Sequence, residues 1–403
     1  MLSLKKLGPG LLFAGAAIGV SHLVQSTRAG ADFGLGLLWA LVLVNVFKYP
    51  FFQYGPRYAS ATGESLLEGY KRLSKGVLIT YFALTFATMF TIQTAVTIVT
   101  AGLASTLFGD FISIKLWTII ILFICLAILF FGKYKLLDRL MKTIIVTLTI
   151  STILAVILAF TKTNNHLSLI QILPKESLEI GFLIAFMGWM PAPLDISVWH
   201  SLWTVEKEKN TKNITPKLAL FDFNIGYITA IFLGIGFLLL GALVMFKSGE
   251  IFSSKAGVFS NQLIIMYANS LGNWSYVIIG IAAFTTMFST TLTTLDASPR
   301  AMNRTLELLT NKKQKLGYVF WILLLTFGTI FIFLFFVSEM GLLIKIATIL
   351  SFITAPFYAI INYALVSSKH TPERWRPSKP LHLLSILGII FLVGFSVWYL
   401  TIL

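Results

Sequence analysis

The sequence has little charge and almost no cysteine. Only 12% of its 403 residues are charged, about half the share of a typical soluble domain, while 57% are hydrophobic and the mean hydropathy is +0.86. Its one cysteine, Cys125, lies in an apolar run, which excludes a disulfide framework within the chain. These features exclude an ordinary soluble domain and favour a chain that resides in a lipid bilayer.

Motifs for nucleotide-driven or hydrolytic chemistry are also missing. The sequence contains no P-loop, no His-Glu-x-x-His pattern and no cysteine-based metal site. ATP-driven pumping by this chain alone is therefore not expected, and neither a cofactor nor an enzymatic activity is predicted. Any uphill movement of a solute would draw on an ion or proton gradient.

Acidic residues are few as well. The chain has 16 Asp and Glu residues against 31 Lys and Arg residues, a net charge of +15. Nucleic acid is not the expected partner, because the basic residues lie in short loops between apolar runs, as the positive-inside rule describes. With the N-terminus in the cytoplasm, the predicted outside loops hold few basic residues, namely Lys115, Lys162, Lys175, Lys247 and Lys255. The short loops indicate a multi-pass protein of a bacterial inner membrane, and the oligomeric state is left open.

Apolar runs long enough to cross a bilayer recur along the whole chain. They cover roughly residues 9–31, 35–56, 77–107, 113–131, 142–161, 179–203, 217–246, 273–297, 317–338, 341–366 and 381–402. The stretch near 250–270 is more polar, and we expect it to lie at the membrane interface. The sequence therefore predicts an all-α polytopic membrane protein with about eleven transmembrane helices.

The first and sixth of these spans contain residues that interrupt a helix. Pro191 and Pro193 stand two residues apart in the sixth span, where each removes a backbone donor, and Gly15 and Gly19 lie inside the first. Carbonyl groups freed in this way must be satisfied within the membrane by protein, by an ion or by water in a cavity. Two kinked but otherwise ordinary helices are the alternative interpretation.

The spacing of the two breaks predicts an inverted repeat. Because the broken spans lie five spans apart, two five-helix halves would run in opposite directions, with a substrate site where the broken helices meet. We expect a single transmembrane domain over residues 1–403, with a first repeat at about 8–161, a second at about 178–366 and an extra helix at 380–402.

Three side chains at the breaks are candidate metal ligands. His22 could bind a metal or accept a proton, and the Met190 thioether is a soft ligand suited to a transition metal. Asp195 is an acid inside an apolar span, where a charge costs at least ~2.5 kcal/mol, so it could hold a cation or a proton. Each has an ordinary interpretation too: hydrogen-bonded packing for His22, space filling for Met190, and capping of the second half-helix for Asp195.

Other residues complete the predicted site. The predicted substrate-binding set adds Gly19 and Ser21, the backbone of Met187, and the hydroxyl of Thr354 in the tenth span. His200 and Asp222 are candidates for a proton pathway, although His200 could instead anchor at the interface and Asp222 could be structural.

Several short stretches resemble a known family. Residues 8–10, 25–34, 37–39 and 61–63 are similar to the first two helices of Nramp-type divalent-metal transporters, and Met190-Pro191 matches the Met-Pro of their sixth helix. The resemblance covers about residues 5–366, with an eleventh helix following. It implies a LeuT-type fold of inverted 5+5 helices and secondary active uptake of Mn²⁺- or Fe²⁺-like ions, coupled to protons, by alternating access.

The chain departs from this family at the metal-binding positions. Residues 19–22 read Gly-Val-Ser-His where the family has Asp-Pro-Gly-Asn, while Ala192 replaces its His and Thr354 its tenth-helix Gln. Met190 is the expected side-chain ligand that survives. If Asp195 points away from the site, an ion that keeps part of its water, such as Mg²⁺, is favoured over a bare transition ion. An organic solute, a non-transporting sensor or scaffold, and an intramembrane enzyme are the alternatives.

Overall fold

Helices make up the fold, and the residues that the structure describes contain no strand. This computed structural model describes residues 8–109, 111–131, 134–162, 167–210, 215–246, 252–336 and 340–401. The chain begins with α1 (Pro9–Ala17), a π-helical segment (Ser21–Ser26), α2 (Thr27–Phe33), α3 (Leu38–Thr62), α4 (Leu66–Leu73), α5 (Lys75–Phe108), α6 (Ile114–Phe131) and α7 (Tyr134–Lys162). It continues with α8 (Ser177–Trp189), α9 (Ile196–Asn210), α10 (Pro216–Val244), α11 (Ala256–Leu271), α12 (Ser275–Thr310), α13 (Gly317–Phe335), α14 (Met340–Ser367), a 3₁₀ turn (Glu373–Trp375) and α15 (Lys379–Leu400).

The helices follow the predicted spans in order. Among the described residues, α5, α6, α10, α12, α13, α14 and α15 are long and apolar enough to cross a bilayer, and an eighth span joins Pro9–Ala17 to Ser21–Phe33 at a bend of 46°. The other three predicted spans correspond to α3, to the apolar part of α7 (Ile145–Thr161) and to the α8–α9 pair. Each predicted span is therefore a helix or a helix pair.

Large apolar side chains cover the outside of the protein. On α7, for example, Val146, Ile150, Ile153 and Ile157 recur every three or four residues along one face, and each is more than half exposed. Soluble monomers rarely expose apolar patches of this extent. Lipid is the environment that such a face fits.

Helix ends follow local sequence signals. Before α5, the Ser74 hydroxyl accepts hydrogen bonds from the backbone N–H groups of Gly76 at 2.9 Å and Val77 at 3.3 Å. At its C-terminal end, α3 stops at Gly63, whose φ of 72° is a left-handed conformation that glycine adopts without a steric penalty. Because α3 ends at Gly63 and α5 begins after Ser74, the short helix α4 lies between these two spans.

The first span packs along α10 through glycine contacts. A Cβ atom on Gly10 would lie 2.0 Å from the carbonyl oxygen of Asp222, and one on Gly226 would lie 2.0 Å from the carbonyl oxygen of Gly10. Further along, a Cβ on Gly30 would lie 2.0 Å from the carbonyl oxygen of Leu238. Small residues let two membrane helices approach to backbone contact, and here they fix the position of the first break.

The sixth span is held in the same way between α3 and α14. A Cβ on Gly55 of α3 would lie 2.3 Å from the carbonyl oxygen of Ser197, in α9. A Cβ on Gly188, near the end of α8, would lie 2.2 Å from the carbonyl oxygen of Thr348, in α14. The second break is therefore enclosed by two packed spans.

The polar stretch near 250–270 contains a helix. Within the described residues it forms α11, which packs against α5, α7 and α12. The prediction that this stretch lies at the membrane interface stays a prediction.

Candidate substrate site between the broken helices

The first break spans the residues between α1 and the π-helical segment. The carbonyl oxygen of Gly19 accepts hydrogen bonds from the N–H groups of His22 at 3.1 Å and Leu23 at 2.9 Å. The hydroxyl of Thr290, on α12, lies 3.2 Å from the carbonyl oxygen of Gly15 and 3.4 Å from that of Ile18. Its one hydrogen can serve a single oxygen at a time, and the carbonyl oxygen of Thr286 in its own helix lies at 3.1 Å, so Thr290 is a shared polar neighbour of the carbonyl groups at the end of α1.

The second break runs from Met190 to Asp195, between α8 and α9, and its Met190–Pro191 peptide bond is cis. The ammonium group of Lys48 enters this break from α3. It donates hydrogen bonds to the carbonyl oxygens of Met187 at 2.8 Å and Gly188 at 2.7 Å, and lies 3.4 Å from that of Ala192. Lys48 is completely buried. The carbonyl oxygen of Met187, which the sequence predicts as part of the substrate site, therefore accepts a hydrogen bond from Lys48.

The two breaks face each other, as the inverted-repeat pattern predicts. The Ser21 hydroxyl lies 3.3 Å from the carbonyl oxygen of Pro191. Beside this contact lies a central cavity of about 20 Å³, lined by Ala16, Ala17, Val20, Ser21, Ile92, Val96, Trp189, Pro193, Ile196, Trp199, Thr290 and Thr294. Most of this lining is apolar, and its polar side-chain groups are three hydroxyls and two indole N–H groups.

His22 lies at the first break but does not line the central cavity. Its Nε2 lies 2.9 Å from the carbonyl oxygen of Ala230 on α10, and because a carbonyl can only accept, Nε2 carries the proton. Its Nδ1 lies 2.6 Å from the Ser21 hydroxyl. Both ring nitrogens therefore have partners within the protein.

Met190 and Asp195 are buried outside the cavity lining. Met190 packs against α10, where a Cβ on Gly234 would lie 3.4 Å from its sulfur atom. The Asp195 side chain lies at the start of α9 and interacts electrostatically with Lys48, and its buried Oδ1 has no hydrogen-bond partner among the described residues. Its roles as a helix cap and as a cation site both stay predictions.

The three predicted metal ligands have different neighbours: His22 bonds to Ala230 and Ser21, Met190 lies against Gly234, and Asp195 interacts with Lys48. In the described ranges, no group of three or more His, Cys, Asp and Glu side chains is placed to hold a metal ion. A metal role for His22, Met190 or Asp195 stays a prediction.

The other predicted residues have different surroundings. Gly19 lies against α12, since a Cβ there would be 2.9 Å from the Thr290 hydroxyl oxygen. Thr354 is half-buried, and its hydroxyl donates to the carbonyl oxygen of Leu350 in its own helix at 2.9 Å. From α14, Ser351 reaches the site instead, accepting a hydrogen bond of 2.7 Å from the Trp189 indole.

The two predicted proton-pathway residues lie near the start of α1. His200 is buried and stacks on Phe13 with ring centres 5.6 Å apart, and neither ring nitrogen has a hydrogen-bond partner among the residues described. Asp222 accepts hydrogen bonds from the backbone N–H groups of Gly8 at 3.1 Å and Gly10 at 2.9 Å. Asp222 therefore anchors the N-terminus of α1, where a carboxylate also compensates the helix dipole.

Replacing Asp222 with asparagine should destabilise the protein by about 1–3 kcal/mol, because the variant loses charge-assisted hydrogen bonds to a helix N-terminus. Thermal melting of the purified protein measures this effect. Glu373→Gln is the control, since its carboxylate is 89% exposed in a weak ion pair. Unchanged melting together with an altered pH dependence of transport would instead identify Asp222 as part of a proton pathway.

Sequence reasoning missed Lys48 as a donor to the second break. A lysine inside an apolar span was the available signal, because a buried charge needs partners. Its partners could not be named from the sequence, since they lie 139 and 140 residues away along the chain.

Solved structures share this fold. A crystal structure of a manganese transporter from Eremococcus coleocola matches with a TM-score of 0.75 and 15% identity, over 96% of this chain and 84% of that one. The transporter MhsT, crystallised with L-phenylalanine, matches with a TM-score of 0.64 and 13% identity, over 98% of this chain and 99% of that one. The protein thus has the LeuT-type transporter fold that the sequence predicted.

Family comparison is consistent with that class. Residues 10–401 match the family model described as Natural resistance-associated macrophage protein-like. An uncharacterized protein of Pasteurella multocida (strain Pm70) is 35% identical, over 98% of this chain and 91% of that protein. The chain therefore belongs to the Nramp family, which confirms the resemblance read from its sequence.

Proposed function

We propose that this protein is a secondary active transporter that carries a divalent metal cation by alternating access. The ion would pass through the space between the broken first and sixth spans. One observation carries the proposal: in a chain of the Nramp family, the two broken spans meet, with Ser21 beside the carbonyl of Pro191. Helix breaks of this kind supply the main-chain oxygens and dipole ends that bind ions in transporters.

The lining favours an ion that keeps its water. Hydroxyl groups of Ser21, Thr290 and Thr294 are the oxygen-bearing side chains of the central cavity, and no carboxylate lines it. Hydroxyls alone cannot replace the hydration of a bare divalent ion. Because Mg²⁺ dehydrates reluctantly and is commonly bound through its waters, a Mg²⁺-like ion fits this lining better than a bare Mn²⁺ ion.

The space must widen to admit such an ion. A cavity of about 20 Å³ has room for roughly one water molecule, whereas a fully hydrated octahedral ion carries about six. The described conformation is therefore a closed one, and binding would require the broken helices to separate. Rocking of one helix bundle against the rest is the motion expected for this fold.

The arrangement in the membrane is part of this proposal. The repeats would cover about residues 8–161 and 178–366, followed by the extra helix α15. The N-terminus would face the cytoplasm of a bacterial inner membrane, as the basic loops indicate.

Uptake into proteoliposomes tests the function. We expect Mg²⁺ or Mn²⁺ to enter vesicles that contain the protein and not protein-free vesicles. Ser21→Ala should lower the initial rate about tenfold or more, because a hydrogen bond made to a charged species is worth about 1.5–3 kcal/mol. Ser60→Ala is the matched control, since that hydroxyl bonds only to carbonyls of its own helix, with Pro56 at 2.6 Å.

A pH-sensitive dye inside the same vesicles reports whether protons enter together with the metal. Internal acidification that requires the metal indicates symport, whereas metal entry without a pH change indicates a uniporter. Vesicles that take up neither metal would overturn the proposal.

An organic solute is the second candidate. The apolar lining that includes Ile92, Trp189 and Trp199 favours it, as do half-helix ends that can bind a carboxylate. Counterflow of labelled amino acids in vesicles that carry no metal would support this candidate over the first.

A further inference from the structure

Lys48 is a fully buried lysine in the middle of α3. Its ammonium group lies 2.8 Å from the carbonyl oxygen of Met187, 2.7 Å from that of Gly188 and 3.4 Å from that of Ala192. We call these three backbone oxygens the carbonyl cage. An ammonium group has three N–H donors, so each donor has a main-chain oxygen to face.

The sequence of the sixth span explains why these oxygens are available. Pro191 has no N–H group to bond to the Met187 carbonyl, and α8 ends at Trp189, which leaves the Gly188 carbonyl without a helical partner. Ala192 lies in the break between α8 and α9. The C-terminus of a helix also carries partial negative charge. A group of such oxygens can replace the hydration shell of a monovalent cation, as backbone carbonyls do in ion channels.

The charge near the cage matches one positive charge. Asp195 is the acidic group that acts electrostatically on Lys48, and its buried Oδ1 has no hydrogen-bond partner among the described residues. A second cation placed in the cage beside the ammonium would be repelled in a medium of low dielectric constant.

We propose that the carbonyl cage is a monovalent-cation site and that the Lys48 ammonium is its tethered occupant. The sixth span then closes around a cation that belongs to the chain, and its geometry does not depend on dissolved Na⁺ or K⁺. A transported divalent ion is excluded from the cage and confined to the side of the break that Ser21 faces. The inference rests on the proposed function where transport is measured, but the binding measurement below is independent of it.

Shortening Lys48 to alanine should leave the cage empty and able to bind a small free ammonium ion. We expect the melting temperature of purified Lys48→Ala to fall by about 5 °C or more. Methylammonium chloride should raise it again by about 2–4 °C. Tetramethylammonium chloride at the same ionic strength should have no effect, because that ion has no N–H donor.

A matched lysine variant and the wild type serve as controls. Lys345 is an exposed lysine on α14, so Lys345→Ala should melt like the wild type and gain nothing from methylammonium. Equal stabilisation of both alanine variants, or Lys48→Ala that melts like the wild type in the absence of amine, would overturn the proposal.

A second substitution keeps the test decisive if Lys48→Ala does not fold. Lys48→Gln places neutral N–H donors on a slightly shorter side chain toward the same oxygens. We expect it to melt about 5 °C or more below the wild type, because the cage requires a charge. A glutamine variant as stable as the wild type would show that hydrogen bonds alone suffice, and the inference would fail.

Transport separates this inference from the proposed function. Lys48→Ala vesicles should lose metal uptake at least tenfold and regain it with methylammonium. Suppose that methylammonium stabilises Lys48→Ala but that neither this variant nor the wild type takes up metal. That result would support the cation site and reject the proposed metal transport. Metal uptake by the wild type, together with melting of Lys48→Ala that does not respond to methylammonium, would support metal transport and reject the cation site.

Discussion

Replacing Gly10 with valine should prevent the first span from docking on α10. A Cβ atom at this position would lie 2.0 Å from the carbonyl oxygen of Asp222, 2.3 Å from its carbonyl carbon and 2.8 Å from the backbone nitrogen of Phe223. Overpacking usually costs about 1–3 kcal/mol, and more when neighbours cannot move. Since backbone atoms of a membrane helix cannot rotate away as a side chain can, we expect a loss of about 3 kcal/mol or more.

The measurement is the yield of monodisperse protein after size-exclusion chromatography in detergent, followed by thermal melting of what remains. Gly394→Val is the matched control, because a Cβ on Gly394 of α15 would meet no atom within 4 Å. Gly226→Val tests the same contact from α10, where a Cβ would lie 2.0 Å from the Gly10 carbonyl oxygen. Wild-type yield and melting of Gly10→Val would show that the first span is not held by this contact.

The spans and their two breaks could be predicted because their causes are local. Pro191 and Pro193 lack N–H groups wherever the chain places them, and an apolar run must find lipid or core. Because the two breaks lie five spans apart, the two halves must run in opposite orientations. None of these inferences depends on which helices touch.

The directions of the site side chains depend on helix crossings, and the sequence could not supply them. His22 is paired with the carbonyl of Ala230, which lies 208 residues away on α10. Its neighbour Ser21 reaches the other break at Pro191, 170 residues away. These adjacent residues of the π-helical segment (Ser21–Ser26) thus face different partners, because their directions follow from how the segment packs against α10 and the second break.

The same reason explains the role of Asp195. Its position after two prolines allowed both a helix cap and a cation site, and the choice depends on where the carboxylate points. In the structure the carboxylate interacts electrostatically with the ammonium of Lys48, which comes from a different span. The charge balance of this break is therefore a property of the packed structure.

The interaction between Lys48 and Asp195 should be measurable by a double-mutant cycle. Asp195→Asn should destabilise the protein by about 3 kcal/mol, because it leaves a buried ammonium without its compensating acid. Lys48→Met should have a cost of similar size. The double variant should be more stable than the sum of the two effects predicts, by about 1–3 kcal/mol, because neither charge is then left alone.

Reversible unfolding of the purified protein in detergent gives the four free energies of the cycle. Glu373→Gln is the control: its carboxylate is 89% exposed and lies 3.7 Å from Arg376, so the ion pair contributes about 1 kcal/mol or less. Strictly additive effects would mean that Asp195 acts on α9 alone. In that case the carbonyl cage would hold the Lys48 ammonium without help from the carboxylate.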